Sequence, residues 1–185
     1  GTTFRLKIPL TLAIIPALLV SSGGERFAIA RSSLQELVLL EGIEKIERSI
    51  EKLYNVPVYR LRGQILPLVY LNQLLQLPDL ATNSETLYIV VIAADDLHFG
   101  LVVDRIEDDR EIVVKSLGKQ LKNLKVFAGA TILGDGTVAL ILDAIGLAQQ
   151  ANVKASLQKS TIAEASIPDN LAEEQQLILL GRVIN

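Results

Sequence analysis

Residues 56–72 read Val-Pro-Val-Tyr-Arg-Leu-Arg-Gly-Gln-Ile-Leu-Pro-Leu-Val-Tyr-Leu-Asn, and the rest of the chain can be placed around them. Val58, Arg60 and Arg62 alternate with Tyr59 and Leu61, a two-residue period that gives a strand one wet and one buried face. Gly63 interrupts the alternation and marks a tight turn, a bulge or a close backbone approach. Ile65 and Leu66 resume the strand. Pro67 cannot donate to a ladder, so it puts the strand's end at a sheet edge or corner. Leu68, Leu71, Leu74 and Leu75 then have the spacing of a short helix of about two turns.

Working outward, the 3–8 segment alternates cleanly and predicts a strand that Pro9 stops. Residues 8–20 are nearly all apolar. A membrane-crossing helix needs about 20 such residues, more than this run holds, and two prolines interrupt it. A secretory signal is the stronger rival, with Ala28-Ile29-Ala30 imitating a cleavage site. Glu25, Arg26 and Phe27 intrude on that pattern, and a buried strand fits better. Ser22-Gly23-Gly24-Glu25 predicts a hairpin turn between strands at 17–20 and 26–30. A third strand is expected over Leu34–Leu40. Ile43, Ile46, Ile50 and Leu53, with charged residues between them, predict an amphipathic helix over 43–53, with strand as the alternative for its first half.

After the central segment, 77–85 reads as a loop. Thr86–Ala93 reads as a strand buried on both faces, and Leu97–Ile106 as its return after Ala94-Asp95-Asp96. Glu107–Arg110 is a charged break before a strand at Glu111–Lys115. A loop with one helical turn spans 116–124. Strands at 127–133 and 137–142 flank the tight turn Gly134-Asp135-Gly136. Asp143 can cap a helix over about 144–151. Residues 152–172 are polar and irregular, a linker by composition, and 176–183 is a last apolar run.

Composition narrows the function. The chain has 185 residues, half of them hydrophobic, no cysteine, one histidine and a net charge of −3. Disulfides, cysteine metal sites and multi-histidine metal centres are therefore excluded. There is no basic stripe, and only four Phe and four Tyr, so nucleic-acid binding is disfavoured. The dominance of Val, Ile and Leu, with turn signals recurring every ten residues or so, predicts an all-β chain with short helices.

The acidic clusters Asp95-Asp96, Asp104 with Glu107-Asp108-Asp109, and Asp135 lack the spacing of a calcium loop and read as solvated turns. His98 has no second ligand or base partner. Ser32 and Ser33 lack a nucleophile elbow. Gly23-Gly24 and Gly134-Asp135-Gly136 do not join a strand to a helix with a following lysine, so they read as turns rather than phosphate cradles. Arg60 and Arg62 stand out because they share one strand face. That face is either plain wet sheet or a partner surface, since arginine is enriched at interface hot spots. With Gln64 on the adjoining turn, these three are the candidate protein-binding residues. Short edge strands of small barrels can also accept another protein's strand.

Several blocks, in order, resemble CheW-like domains. They are Glu25–Ile29, Tyr59–Val69, Phe99–Asp104, Glu111–Leu117 and Phe127–Gly136 followed by Val138–Asp143, so the likeness spans roughly residues 14–150. Arg60 before Leu61-Arg62-Gly63 fits the form found in the regulatory region of CheA-type chemotaxis histidine kinases; free CheW adaptors tend to have Asn there. Gly1-Thr2-Thr3-Phe4 is similar to the last glycine box and final strand of a histidine-kinase ATP-binding domain, and Pro9–Ile14 to the junction that follows it. One departure is Ala30-Arg31, where the family often has proline.

The resemblance implies an all-β fold of two intertwined SH3-like five-stranded barrels. It divides the chain into 1–12, the last ATP-domain strand and linker; 13–151, the CheW-like domain; 152–172, a linker; and 173–185, a tail strand or the start of a second CheW-like unit. It implies a regulatory domain that docks a CheW-type adaptor and chemoreceptor tips to control histidine autophosphorylation. Such barrels pair first to second with one another and build rings in receptor arrays. The expectation is therefore a cytoplasmic, non-catalytic chain recruited to membrane-associated arrays, without nucleic acid or membrane insertion. No cofactor is expected, ATP and Mg belonging to a kinase domain ahead of Gly1. A stand-alone CheW-like adaptor is the second reading, and a secreted β-barrel enzyme the third.

Overall fold

The computed structural model describes residues 1–3, 13–80, 85–118 and 124–165. The strand expected over 3–8 and the apolar run 176–183 therefore fall, wholly or nearly so, outside the described residues. Eleven strands and four helices are described. The chain first forms β1 (Ala13–Ser22) and β2 (Glu25–Ala30), then a 3-10 turn at Arg31–Ser33. It goes on through β3 (Leu34–Glu41), α1 (Ile43–Ser49), β4 (Ile50–Leu53), β5 (Val56–Leu61), β6 (Gln64–Tyr70), α2 (Leu71–Leu74), β7 (Thr86–Ala94) and β8 (Leu97–Val103). It returns through β9 (Arg105–Val114), β10 (Phe127–Ile132) and β11 (Val138–Leu142) to α3 (Ala144–Gln150) and α4 (Val153–Ala165).

The strands form two sheets, β10-β11-β2-β1-β9 and β3-β7-β8-β6-β5-β4. The second sheet is thus inserted into the first: the chain leaves after β2, builds all six strands, and comes back with β9. The first sheet closes on itself. Lys115, just past β9, and Ala130 of β10 exchange two backbone hydrogen bonds of 2.8 and 2.9 Å. The mostly-β, two-sheet architecture expected from the sequence is present. The second sheet has six strands where five were expected, because β4 is added at its edge.

Alternation along the strands sorts side chains into three apolar layers. Ala17, Leu19, Ala28, Ala139 and Ile141 fill the first barrel. Leu40, Leu68, Ile89 and Val102 fill the second. Leu18, Val20, Phe27 and Ile29 face the opposite way and meet Val90, Ile92, Leu101 and Val103 in a layer between the sheets. Ala17–Val20 are each 2% exposed or less, which explains why the sequence there is apolar at successive positions. Over Ala17–Val20 both faces of β1 are buried, and burying a leucine or valine there contributes about 1.5–3 kcal/mol.

Four local expectations are corrected. The helix expected over 43–53 ends at Ser49; Ile50 and Leu53 instead pair with Tyr59 and Val56 of β5. Pro67 does not end its strand, which runs on to Tyr70. It lies where β6 changes partners, pairing with β5 up to Pro67 and with β8 from Leu68, so the corner is real and the stop is not. The charged run Glu107–Arg110 is part of β9, paired with β1. Its side chains can stay in water on that strand while the backbone hydrogen bonds are still made, so charge there signals exposure rather than a break. Finally, much of the stretch read as irregular linker is helical over Val153–Ala165. Val153 is 1% exposed in the inter-sheet layer, and Leu157 packs against that layer.

Candidate functional site

The hairpin that joins β5 to β6 has a two-residue loop, Arg62-Gly63, with Leu61 opposite Gln64. The type I′ form of such a loop needs positive φ at both positions, and Arg62 and Gly63 have φ of 50° and 82°. Gly63 adopts this at no steric cost. Arg62 does not sit on the strand at all, so the shared face expected for Arg60 and Arg62 is absent. Arg60 remains in β5 and turns toward the sheet edge, its Nε donating to Glu51 Oε1 of β4 at 2.9 Å. Arg62 reaches the other way. Its Nη1 and Nη2 donate to both carboxylate oxygens of Glu36 on β3, at 2.9 and 2.8 Å. This bidentate fork is the geometry in which arginine holds a carboxylate most specifically. It joins β3 to the β5–β6 hairpin, so a pair of side chains spans the second barrel between strands that the sheet order places far apart.

Arg62 and Gln64 line a cleft of about 320 Å³ together with Gln35, Glu36, Leu61 and His98, among others. His98 Nε2 lies 3.0 Å from Gln35 Nε2. The cleft therefore gathers a cation, a carboxylate, two amides and an imidazole around an apolar floor that includes Val91 and Leu66. Arg60 does not line it. The structure brings together two of the three sequence candidates and adds Glu36, Gln35 and His98. Glu36 was hidden in the sequence because its partner lies 26 positions away. Only the pairing of β3 with β7, and the turn at Arg62-Gly63, bring the two together.

A second surface is an apolar groove of about 510 Å³ beside the inter-sheet layer. Phe27, Leu75, Leu77, Leu124, Phe127 and Val138 wall it, and Glu25, Arg26, Gln76 and Gln150 form polar parts of its lining. Leu124 and Val138 are exposed at 46% and 59%, so among the described residues the groove presents apolar area to solvent. Arg26 is held by Glu107 at 3.3 Å and Asp135 at 2.6 Å. Its hydrogen bond to Asp135 and the charges of both acids raise its pKa further. Bonds from the Thr137 hydroxyl and backbone N–H, then from Arg26, hold the Asp135 carboxyl well below the usual carboxylate range.

The other sequence candidates have structural roles. Asp104 Oδ2 accepts from the Gly23 N–H at 2.8 Å and so fixes the β1–β2 turn. Asp143 accepts from the Gly146 N–H at 2.6 Å, the helix cap expected for α3. Among the described residues no group of three or more His, Cys, Asp or Glu side chains is placed to hold a metal ion. None of the described helices is long and apolar enough to cross a membrane.

With this geometry in view, comparison with known proteins is decisive. Residues 16–152 match the sequence model of the CheW-like domain. The chain belongs to the CheW-like domain family. The sensor histidine kinase CheAY of Helicobacter pylori is 42% identical over 146 residues, covering 77% of this chain and 17% of that protein. The chemotaxis protein CheA of Bacillus subtilis is 39% identical over 143 residues, 77% of this chain and 20% of that protein. Treponema pallidum CheA is 32% identical over 168 residues, 90% of this chain and 20% of that protein. The chain thus spans about a fifth of the length of these relatives. Among solved structures, the scaffolding protein TtCheW from Thermoanaerobacter tengcongensis superposes with a TM-score of 0.58 at 16% identity, covering 73% of this chain and 92% of that one. At that identity the likeness speaks for the fold, and it agrees with the nested two-sheet arrangement. The CheW-like match begins inside β1 and ends just before α4, so it takes in both sheets, the Arg62 cleft and the inter-sheet groove.

Proposed function

We propose that this CheW-like domain is the regulatory and coupling domain of a CheA-type chemotaxis sensor kinase, docking a CheW-type adaptor and chemoreceptor tips so that they set histidine autophosphorylation. The observation that carries the reading is the match over residues 16–152 combined with 32–42% identity to CheA proteins from three organisms. In this reading the chain performs no chemistry and takes no cofactor. ATP and Mg belong to the kinase portion, and the domain works in the cytoplasm at receptor arrays. A domain of this kind can change a kinase's activity only if its partners favour one of its orientations over another.

Two surfaces support docking. The groove walled by Leu124 and Val138 suits the apolar side of a partner segment, with Arg26 and Gln150 as its polar rim. The cleft at Arg62 and Gln64 offers directional polar contacts. Of the three sequence candidates the proposal retains Arg62 and Gln64 as partner-contacting residues; Arg60 lies on the β4 side, engaged with Glu51.

The test uses the full-length kinase with its adaptor and receptor. Replacing residues 9–12, Pro-Leu-Thr-Leu, with a long Gly/Ser tether exchanges a short proline-containing sequence for a flexible random coil. Basal autophosphorylation should persist while receptor control is lost; preserved control would refute the coupling. Arg62→Glu and Val138→Lys should each weaken adaptor or receptor binding at least tenfold. Unchanged binding in both would remove these surfaces from the proposal.

A further inference from the structure

The second sheet ends in two edges of different kinds. β4 is four residues long, carries Glu51 and Lys52, and pairs with a strand that has Pro57 opposite Lys52. A short, charged edge of that kind resists pairing with another chain. β3 is eight residues long and, among the described residues, pairs only with β7. It contains neither lysine nor proline, and its one irregularity is a register shift near its start, between Leu34 and Glu36. Leu37 and Leu39 project from one face of it and are exposed at 44% and 49%. An open edge of this length with two exposed leucines is the feature that folded proteins otherwise avoid.

We propose that β3 pairs antiparallel with β3 of a second copy of this chain, about a two-fold axis at Val38. The strand's own sequence fits that operator. Leu37 of each copy falls opposite Leu39 of the other, so both exposed leucines gain a cross-strand apolar neighbour about 5 Å away. Gln35 falls opposite Glu41 and Glu36 opposite Leu40, so no two like charges face each other. Glu36 alternates to the face opposite Leu37, so its fork with Arg62 leaves the leucine face free. The contact is isologous and closes at two copies. It is therefore distinct from the first-to-second-barrel pairing that the family resemblance implies, which is heterologous and builds rings.

The chain has no cysteine, so single-cysteine variants report contacts without background. Leu37→Cys and Leu39→Cys, carrying different tags, are oxidised separately and as a mixture. Under the two-fold, the mixed pair is directly opposite while the like pairs are diagonal and about 7–8 Å apart. The mixture should therefore give several-fold more disulfide-linked dimer than either variant alone. In sedimentation the unmodified chain should show a concentration-dependent dimer that the double variant Leu37→Lys, Leu39→Lys loses while keeping its circular dichroism spectrum. Equal cross-linking in all three samples, a chain that stays monomeric at every concentration, or a dimer that survives the lysines would each overturn the proposal. So would a Leu37→Cys chain that is monomeric alone and cross-links only to an added CheW-type adaptor, because the edge would then belong to that partner.

Discussion

In the first barrel, Lys115 and Ala130 meet backbone to backbone, with two hydrogen bonds sealing the sheet between β9 and β10. In the second, among the described residues, the end strands β3 and β4 do not pair, and the fork from Arg62 to Glu36 ties β3 to the β5–β6 hairpin instead. Backbone seams rely on groups that every sequence has, are shielded within a ladder, and are indifferent to most substitutions. A side-chain fork depends on two particular residues and stands in water, with the Arg62 side chain 76% exposed. One barrel is thus built as a closed scaffold. The other is built with an edge and a link.

The largest effect should come from crowding the backbone beneath the first barrel's seam. A Cβ at Gly129 would lie 2.9 Å from the Lys115 carbonyl oxygen, the atom that accepts one of the seam bonds. Gly129→Ala should cost about 1–3 kcal/mol, toward the upper end because backbone cannot swing aside as a side chain can. The matching change in the second barrel is Gly100→Ala, whose Cβ would meet Ile89 Cγ2 at 2.6 Å and Leu68 Cδ2 at 2.7 Å. Leu68 can rotate its Cδ2 aside although the β-branched Ile89 cannot, so the clash relaxes in part and the cost falls in the same range but lower. Denaturant unfolding of both variants checks the order. A Gly100→Ala loss clearly above that of Gly129→Ala would contradict the contrast between seam and core.

A smaller effect is expected at the second barrel's link. Glu36→Gln or Arg62→Ala should cost only about 0.2–1 kcal/mol, the range for exposed ion pairs. Hydrogen exchange should nonetheless rise in β3 while β10 stays protected, because only the second barrel loses a connection across its ends. Equal changes in both strands would mean that the fork does not close the second barrel separately.

How much of this was legible in the sequence follows the same division. Contacts that repeat along a strand were readable. Ala17–Val20 announces a buried strand and Thr86–Ala93 a strand buried on both faces, because the runs are continuously apolar or β-branched, and Gly134-Asp135-Gly136 announces its own turn. Contacts that depend on one residue's backbone angle were not. Arg62 has the spelling of a strand residue, and only its positive φ, imposed by a two-residue hairpin, turns it toward Glu36. Ile50 and Leu53 have helical spacing, yet they pair with Tyr59 and Val56 because β5 offers an open edge. Tertiary pairing there outweighs local propensity. Glu107–Arg110 was misread because charge was taken for a break, although β9 is exposed at all four positions while its backbone stays paired with β1.

The smallest predicted effect concerns acid, and it separates the two arginine–carboxylate links. Asp135 has a depressed pKa in the folded chain because the Thr137 hydroxyl and N–H and then Arg26 favour its charged form. A carboxyl with a lowered folded pKa stabilises the fold above its unfolded pKa, about 3.9, and loses that contribution as pH falls toward the folded value. The difference in melting temperature between the unmodified chain and Asp135→Asn should therefore be constant above about pH 5 and shrink steadily below about pH 4. Thr137→Val removes the hydroxyl, the largest of the causes, and should make the shrinkage smaller in total and complete at higher pH, while its onset stays near the unfolded pKa. Salt gives a further distinction: Asp135 is held chiefly by short hydrogen bonds from Thr137, which screening weakens little, whereas the Arg62 fork is an exposed charge pair. Raising ionic strength should erase the effect of Glu36→Gln before that of Asp135→Asn. The opposite order would mean that Arg26, rather than Thr137, holds the first barrel's turn.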